Sequence, residues 1–216
     1  MNHYQTINNI IYYDFQKSLD LITRKGKAIY GPHFKLYNED RPIINKLFAY
    51  FIHDPEECQR LGMDLRKGIL LLGPVGCGKT ALLKLMPSIL PKHQHFPLKA
   101  CRDISFEFKK DGFDTIHRYS KRSFTISPGQ RIPKTICLDD LGAESNIKHY
   151  GSECNVLAEV LLSRYDLFIS DKLITHATTN LSAQDIEKLY GKRVRSRLRE
   201  MMNVIIFPEH SPDKRH

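Results

Sequence analysis

At 216 residues, with 41% apolar and 26% charged side chains, the chain is long enough for one α/β domain with a modest appendage, and its composition is that of a soluble globular protein. A net charge of +9 and a pI near 9.3 point to a polyanionic partner, nucleic acid first. No apolar run reaches membrane-spanning length and the N-terminus lacks the basic-then-apolar pattern of a secretory signal, so no membrane association and a cytoplasmic location are expected.

Residues 1–31 carry Ile7, Ile10, Ile11, Phe15, Leu19 and Ile22 at spacings of three or four, which predicts one amphipathic helix, a small docking appendage. Gly31-Pro32 breaks the pattern and marks the start of the main domain, residues 32–207. Residues 34–37 read as a short strand. Asp40 then caps a helix from about Arg41 to Ile52 with Pro42 in its first turn and Ile43, Ile44, Leu47, Phe48 and Phe51 on its buried stripe.

The chain is organised around Lys67–Thr80, KGILLLGPVGCGKT. An apolar run stops at Gly73, and a helix-like segment opens after Thr80, so G-x-x-x-x-G-K-[ST] sits between a strand and a helix. Glycines let successive backbone N–H groups turn inward on phosphate oxygens, and the helix N-terminus adds its positive end. Gly73, Pro74, Val75, Gly76, Cys77, Gly78, Lys79, Thr80 and Ala81 are the expected nucleotide-binding residues, with Lys79 neutralising the β/γ-phosphates and Thr80 giving its hydroxyl to Mg²⁺. The bland alternative is a glycine turn between a buried strand and a helix. The five cysteines, Cys58, Cys77, Cys101, Cys137 and Cys154, are widely spaced without a C-x-x-C pair, which argues against a disulfide framework or a zinc site.

Residues 98–101 read as a second strand. Residues 103–124 begin helically and then interleave cations with rings (Lys109, Lys110, Phe113, Arg118, Tyr119, Lys121, Arg122, Phe124). Such a stretch suits nucleic acid, cations meeting phosphate and rings stacking on bases; equally, the rings could face the core while the charges are solvated. Thr135–Leu138 is a buried strand ending in Asp139-Asp140-Leu141-Gly142. Two carboxylates at the carboxyl end of a core strand are poor core material and sit where open α/β sheets bind ligands. After the upstream loop, Asp139 is expected to hold Mg²⁺ and Asp140 to orient or deprotonate the attacking water. A helix over 153–168, a strand over 173–179, a capped helix from Ser182 to Gly191, the basic run Lys192–Arg199, a strand over 204–207 and a polar, frayed tail at 208–216 complete the chain.

GPVGCGKT (73–80), CLDDLGAE (137–144), SRYD (163–166), TTNL (178–181) and YGKRVRSRL (190–198), in that order, resemble the DnaC/IstB branch of AAA+ ATPases, helicase loaders and transposase helpers, over roughly residues 34–207. The resemblance implies an α/β P-loop fold in three layers around a parallel sheet, with no C-terminal helical lid. It places Thr179 and Asn180 at the sensor-1 position, near the γ-phosphate or the attacking water. Arg197 falls at the arginine finger that completes a neighbouring subunit's site, with Arg193 as the reserve. The implied protein is a DNA-associated ATPase using ATP and Mg²⁺, slow until stimulated by assembly or DNA, and a homo-oligomer working with DNA and a replicative helicase or a transposase. The alternative is a nucleotide-gated protein-interaction module with little hydrolysis and no direct DNA binding. Only about thirty residues precede the core, fewer than helicase loaders of this type usually carry, which favours a mobile-element or phage-type helper.

Overall fold

The computed structural model describes residues 3–8, 10–144, 147–149 and 152–215. They divide into two compact units, residues 1–65 with 80–95 and residues 66–79 with 96–216.

The first unit opens on an antiparallel hairpin, β1 (Tyr4–Ile7) and β2 (Ile10–Tyr13), where a helix is predicted. β-branched and aromatic residues on either side of an asparagine turn favour cross-strand pairing over helix, and Asn8 takes the left-handed φ of 51° that asparagine tolerates. Helix α1 (Phe15–Tyr30) begins only after Asp14, whose carboxylate accepts from the Lys17 N–H at 2.9 Å. Residues 34–37 form no strand and lead through a 3₁₀ turn (Asn38–Asp40) into α2 (Arg41–Phe51). The predicted stripe of α2 is buried, but Asp40 makes no side-chain cap bond to it. A short helix, α3 (Pro55–Arg60), follows on the N-cap Asp54, which accepts from the Glu57 N–H at 2.9 Å.

The second unit holds the sheet. Strand β3 (Gly68–Leu72) is almost wholly buried, which is why its sequence is a continuous apolar run rather than an alternation. The glycine loop leads from it into α4 (Lys79–Leu85), whose first residue closes this unit's segment. Then come β4 (Leu98–Ala100), α5 (Cys101–Asp111) and α6 (Phe113–Tyr119), the two helices separated by Gly112 at φ 55°. The hairpin β5 (Phe124–Ser127) and β6 (Gln130–Pro133), turning at Gly129, leads to β7 (Ile136–Leu141). After the small hairpin β8 (Ile147–His149) and β9 (Ser152–Cys154), Asn155 caps α7 (Val156–Asp171) by accepting from the Ala158 N–H at 3.0 Å. Last come β10 (Thr175–Thr179), α8 (Ala183–Met201) and β11 (Met202–Ile206).

The five strands lie in the order β11-β3-β10-β7-β4, all parallel. Strand β3 therefore has β10 on one side and β11 on the other, so the glycine loop leaves the sheet where open α/β sheets keep their ligand crevice. The α/β fold with a central parallel sheet matches the expectation from sequence. Leu138, Ala177, Val160, Leu161 and Leu198 belong to a continuous apolar core shared by the sheet, α5, α7 and α8. Arg164 of α7 is fully buried in this unit. Its guanidinium donates to Thr175 Oγ1 (2.7 Å), Tyr119 O (2.8 Å), Ser123 Oγ (3.1 Å) and Ile174 O (2.9 Å), tying α6, the approach to β5 and the start of β10 to one side chain. Burial lowers its pKa to about 9, still high enough to keep it charged at neutral pH.

One helix boundary follows the expectation and one chain segment departs from it. Gly191 is non-helical at φ 88°, ψ 161° and ends the helical stretch that Ser182 caps, so α8 is two helical stretches either side of it, the second carrying the basic run. The segment after β11 is not frayed: through residue 215 it has defined hydrogen bonds, including Lys214 N–H to Gly76 O at 3.0 Å.

Candidate functional site

The glycine loop is fixed at its start by two backbone bonds of the flanking strands. Gly73 donates to Thr179 O at 3.3 Å, and Phe207 donates to Leu72 O at 2.8 Å. Gly73 has no room for a side chain, since a Cβ there would lie 2.6 Å from Phe207 Cβ. Gly76 (φ 80°) and Gly78 (φ 104°) adopt the backbone conformation that L side chains avoid, and these turns let the loop curl. Lys79 is only 7% exposed. Its ammonium reaches back across the loop to donate to Gly73 O and Pro74 O, each at 2.8 Å. Both acceptors are neutral, so a nearly buried cation is held in place without a compensating charge from those oxygens. Such a group favours an anionic ligand. Pro74 and Val75 form the outer part of the loop, Val75 being exposed and Cys77 fully buried. Thr80 and Ala81 follow Lys79 directly in the first turn of α4.

The carboxylates are presented by a bulge. Pairing between β7 and β10 runs from Leu138 opposite Ala177 to Leu141 opposite Thr179, so Asp139 and Asp140 together stand against Thr178. In a regular strand the two would project to opposite faces; the extra residue re-aims them, and Asp140 sits at φ 61°, a costly conformation for a non-glycine residue. Asp139 is buried and Asp140 exposed. One hydroxyl holds both: Thr178 Oγ1 donates to Asp139 Oδ1 at 2.7 Å and accepts from the Asp140 N–H at 2.8 Å.

Thr178 is absent from the sequence-based selection, which names its neighbours. Thr179 uses its hydroxyl on the backbone, donating to Leu141 O at 2.7 Å and accepting from the Leu181 N–H at 3.1 Å. Asn180 lies just past the end of β10 and is exposed. The signal for Thr178 is available in the run Thr178-Thr179-Asn180, but strand alternation decides which threonine meets β7, and the bulge that sets the register is invisible in sequence. Glu144 and Tyr190 are missed for a similar reason. Glu144 accepts from the Gly142 N–H at 2.9 Å and from the Tyr190 hydroxyl, linking the turn after β7 to α8. Burial, with the Glu144 charge behind it, pushes the Tyr190 hydroxyl well above the usual tyrosine range, so it stays a donor.

Beyond the Gly191 kink, Arg193 is exposed. The Arg197 guanidinium lies over the Tyr165 ring, 4.2 Å from its centroid, and donates to Tyr165 Oη at 3.0 Å; Tyr165 in turn donates to Glu200 at 2.8 Å. Arg195 pairs with Glu187. Within this one chain, therefore, Arg197 rests on Tyr165 of its own α7.

The basic and aromatic stretch divides. Phe108, Tyr119 and Phe124 are buried, whereas Phe106 and Phe113 are exposed. Arg118 is bonded to Glu107 and Asp111, and Arg122 to Asp114, so these two cations already have carboxylate partners. Lys109, Lys110, Lys121 and Arg131 are exposed, Arg131 lying 3.5 Å over the Phe124 ring. Among the described residues no cluster of three or more metal-ligating His, Cys, Asp or Glu side chains occurs, and no helix is long and apolar enough to cross a membrane.

No protein-family model matches the chain. Among solved structures, it is similar to a putative primosome component from Streptococcus pyogenes serotype M3, with 21% identity over 82% of this chain and 83% of that one and a TM-score of 0.56. It is similar also to the DnaC helicase loader, with 20% identity over 81% of this chain and 93% of that one and a TM-score of 0.54. Likeness at this level of identity establishes a shared fold.

Proposed function

We propose that the chain is an ATP-binding and ATP-hydrolysing AAA+ protein of the helicase-loader type, acting on DNA or on a DNA-bound partner. The observation that carries this reading is the nearly buried Lys79 ammonium, held by neutral loop carbonyls in the same unit as a bulged pair of aspartates. The triphosphate's negative charge is the complement of that cation and of the loop's N–H groups. Magnesium, when bound, neutralises phosphate charge; the hydroxyl of Thr80 and the carboxylate of Asp139 are hard oxygen donors of the kind it takes. Asp140, exposed near the end of β7, orients or deprotonates the attacking water, with Asn180 as the polar side chain that assists at the γ-phosphate or that water.

Arg197, with Arg193 in reserve, completes the site of a second copy on assembly. For Arg197 this requires leaving the Tyr165 ring, which would make turnover slow in the isolated chain and faster in an oligomer. A replicative helicase or transposase is the expected protein partner, and the fold shared with the DnaC helicase loader favours the first. The charge of +9 supports contact with DNA, through exposed cations such as Lys109, Lys110, Lys121 and Arg131 rather than through the paired Arg118 and Arg122. The test is ATP binding and hydrolysis of the purified chain, with and without DNA at two salt concentrations. The reading expects ATP binding, DNA-stimulated phosphate release and DNA affinity that falls steeply with salt. A second reading, a nucleotide-gated interaction module, is favoured by the exposed Tyr4, Ile7, Ile10 and Tyr12 of the first hairpin. It expects ATP binding with negligible turnover and no salt-dependent DNA affinity.

A further inference from the structure

The segment that follows β11 lies along the back of the glycine loop. Three glycines of the loop meet it or the residue that leads into it. A Cβ on Gly73 would stand 2.6 Å from Phe207 Cβ, one on Gly76 would stand 2.2 Å from the Asp213 carboxylate, and one on Gly78 would touch Lys214 Cδ at 3.9 Å. Lys214 makes the specific bonds. Its N–H donates to Gly76 O at 3.0 Å and its ammonium donates to Cys77 O at 3.1 Å. The same ammonium lies 5.5 Å from the centre of the Phe207 ring, so the side chain is held from two sides. The backbone around it is shaped locally, with the Arg215 N–H donating to Asp213 Oδ1 at 3.0 Å and Ser211 N–H to Pro208 O at 3.0 Å.

Peptide geometry turns these two bonds into a statement about the loop's other face. A trans peptide is planar, with its C=O and the next residue's N–H pointing in opposite directions. Fixing Gly76 O toward Lys214 therefore directs the Cys77 N–H away from it, and fixing Cys77 O does the same for the Gly78 N–H. Without such anchors, two glycines at positive φ would leave these peptide units free to rotate, and an anion would have to order them as it bound.

Resting on the nucleotide reading above, we propose that Lys214 is a positioning residue of the phosphate loop: from the carbonyl side it pre-orients the Cys77 and Gly78 N–H groups for the anion. It does not touch the nucleotide. Its effect is on affinity, and it leaves the hydrolytic step to Asp140.

The experiment uses the full chain, Lys214→Ala and Lys214→Arg, with a fluorescent ATP analogue displaced by ATP, steady-state turnover, and hydrogen exchange of the loop amides in nucleotide-free protein. Removing one charge-assisted hydrogen bond predicts about tenfold weaker ATP binding for Lys214→Ala. The maximal rate should stay within about twofold, because the interaction is equally present in ground and transition states. Loop amide exchange should become faster, and Lys214→Arg should recover most of the affinity and protection. Unchanged affinity in Lys214→Ala overturns the proposal. So does tighter binding, which would make the segment a plug rather than a support. If the unaltered chain itself fails to bind ATP, the nucleotide reading fails; amide exchange in Lys214→Ala then still decides whether Lys214 orders the loop, and unchanged exchange overturns that.

Discussion

The glycine loop and the carboxylate end of β7 are two halves of one candidate site, and they are held in position by different means. The loop is contiguous in sequence. Its glycines supply the turns, its lysine folds back on its own carbonyls, and residues 207–214 back it from outside. The carboxylates are adjacent in sequence too, yet their placement depends on a bulge and on a hydroxyl from another strand, Thr178, 38 residues from Asp140. Loop residues should thus govern how tightly nucleotide is held, whereas residues at the β7 end should govern how fast it is turned over.

The largest expected effect comes from a residue in neither half. Arg197→Ala should lower turnover of the assembled protein by about 10³–10⁵ while each copy still binds ATP. Mixing Arg197→Ala with Asp140→Asn chains checks it, since an interface pairing an intact arginine with an intact carboxylate should regain activity. No recovery at any ratio would mean that the site is complete within one chain, leaving Arg197 as a local partner of Tyr165 and Glu200.

Lys79→Ala separates the halves from the loop side. Losing the buried ammonium should reduce kcat/KM by about 10²–10³, with weakened binding contributing much of the fall, as titration with a fluorescent ATP analogue would show. Thr178→Val separates them from the other side. It removes the buried hydrogen bond to Asp139 and leaves the part-buried Asp140 N–H without its protein acceptor, a combined loss of about 1–3 kcal/mol. A drop of roughly ten- to a hundredfold in kcat with little change in KM is expected, and Thr178→Ser should restore most of it. A rise in KM alone would put Thr178 with the loop instead.

The smallest effect is on stability. His176 of β10 is fully enclosed, and its Nδ1 accepts from the Ile69 N–H at 3.0 Å, so burial, with the Arg164 charge behind it, lowers its pKa to about 3. In the unfolded chain the imidazole takes a proton near its ordinary value of 6.5, whereas in the folded one it stays neutral. Between pH 6.5 and 3 the unfolded state binds more protons, so stability present above pH 6.5 is lost as pH falls. The slope from this one group is at most about 1.4 kcal/mol per pH unit. Urea unfolding at pH 7.5, 6 and 5 would show it, and the slope should shrink in His176→Asn, whose side-chain oxygen can accept the same N–H.

What could be read from sequence follows the same division. The loop was legible because its chemistry lies in eight consecutive residues between an apolar run and a helix. Asp139 and Asp140 were legible because paired charges ending a buried strand have few uses other than ligand binding. Thr178 was not, because a one-residue change of register decides which of two adjacent threonines meets the aspartates. Lys214 carried no signal at all in a polar segment whose contacts are long-range. The first hairpin reads as helix in sequence because Ile7, Ile10 and Ile11 match helical spacing, while the asparagine turn between β-branched runs carries the stronger local preference. In the stretch 103–124 the alternation of rings and cations was visible, but not that Glu107, Asp111 and Asp114 would claim Arg118 and Arg122.

Asp140→Asn tests the central claim most directly, with ATP affinity and phosphate release measured on the same sample. The account predicts affinity within about threefold of the unaltered chain and turnover lower by about 10²–10⁴, the range for losing a general base. Turnover that survives the substitution, or ATP affinity lost together with it, would contradict the assignment of loop and carboxylates to separate tasks in one ATPase site.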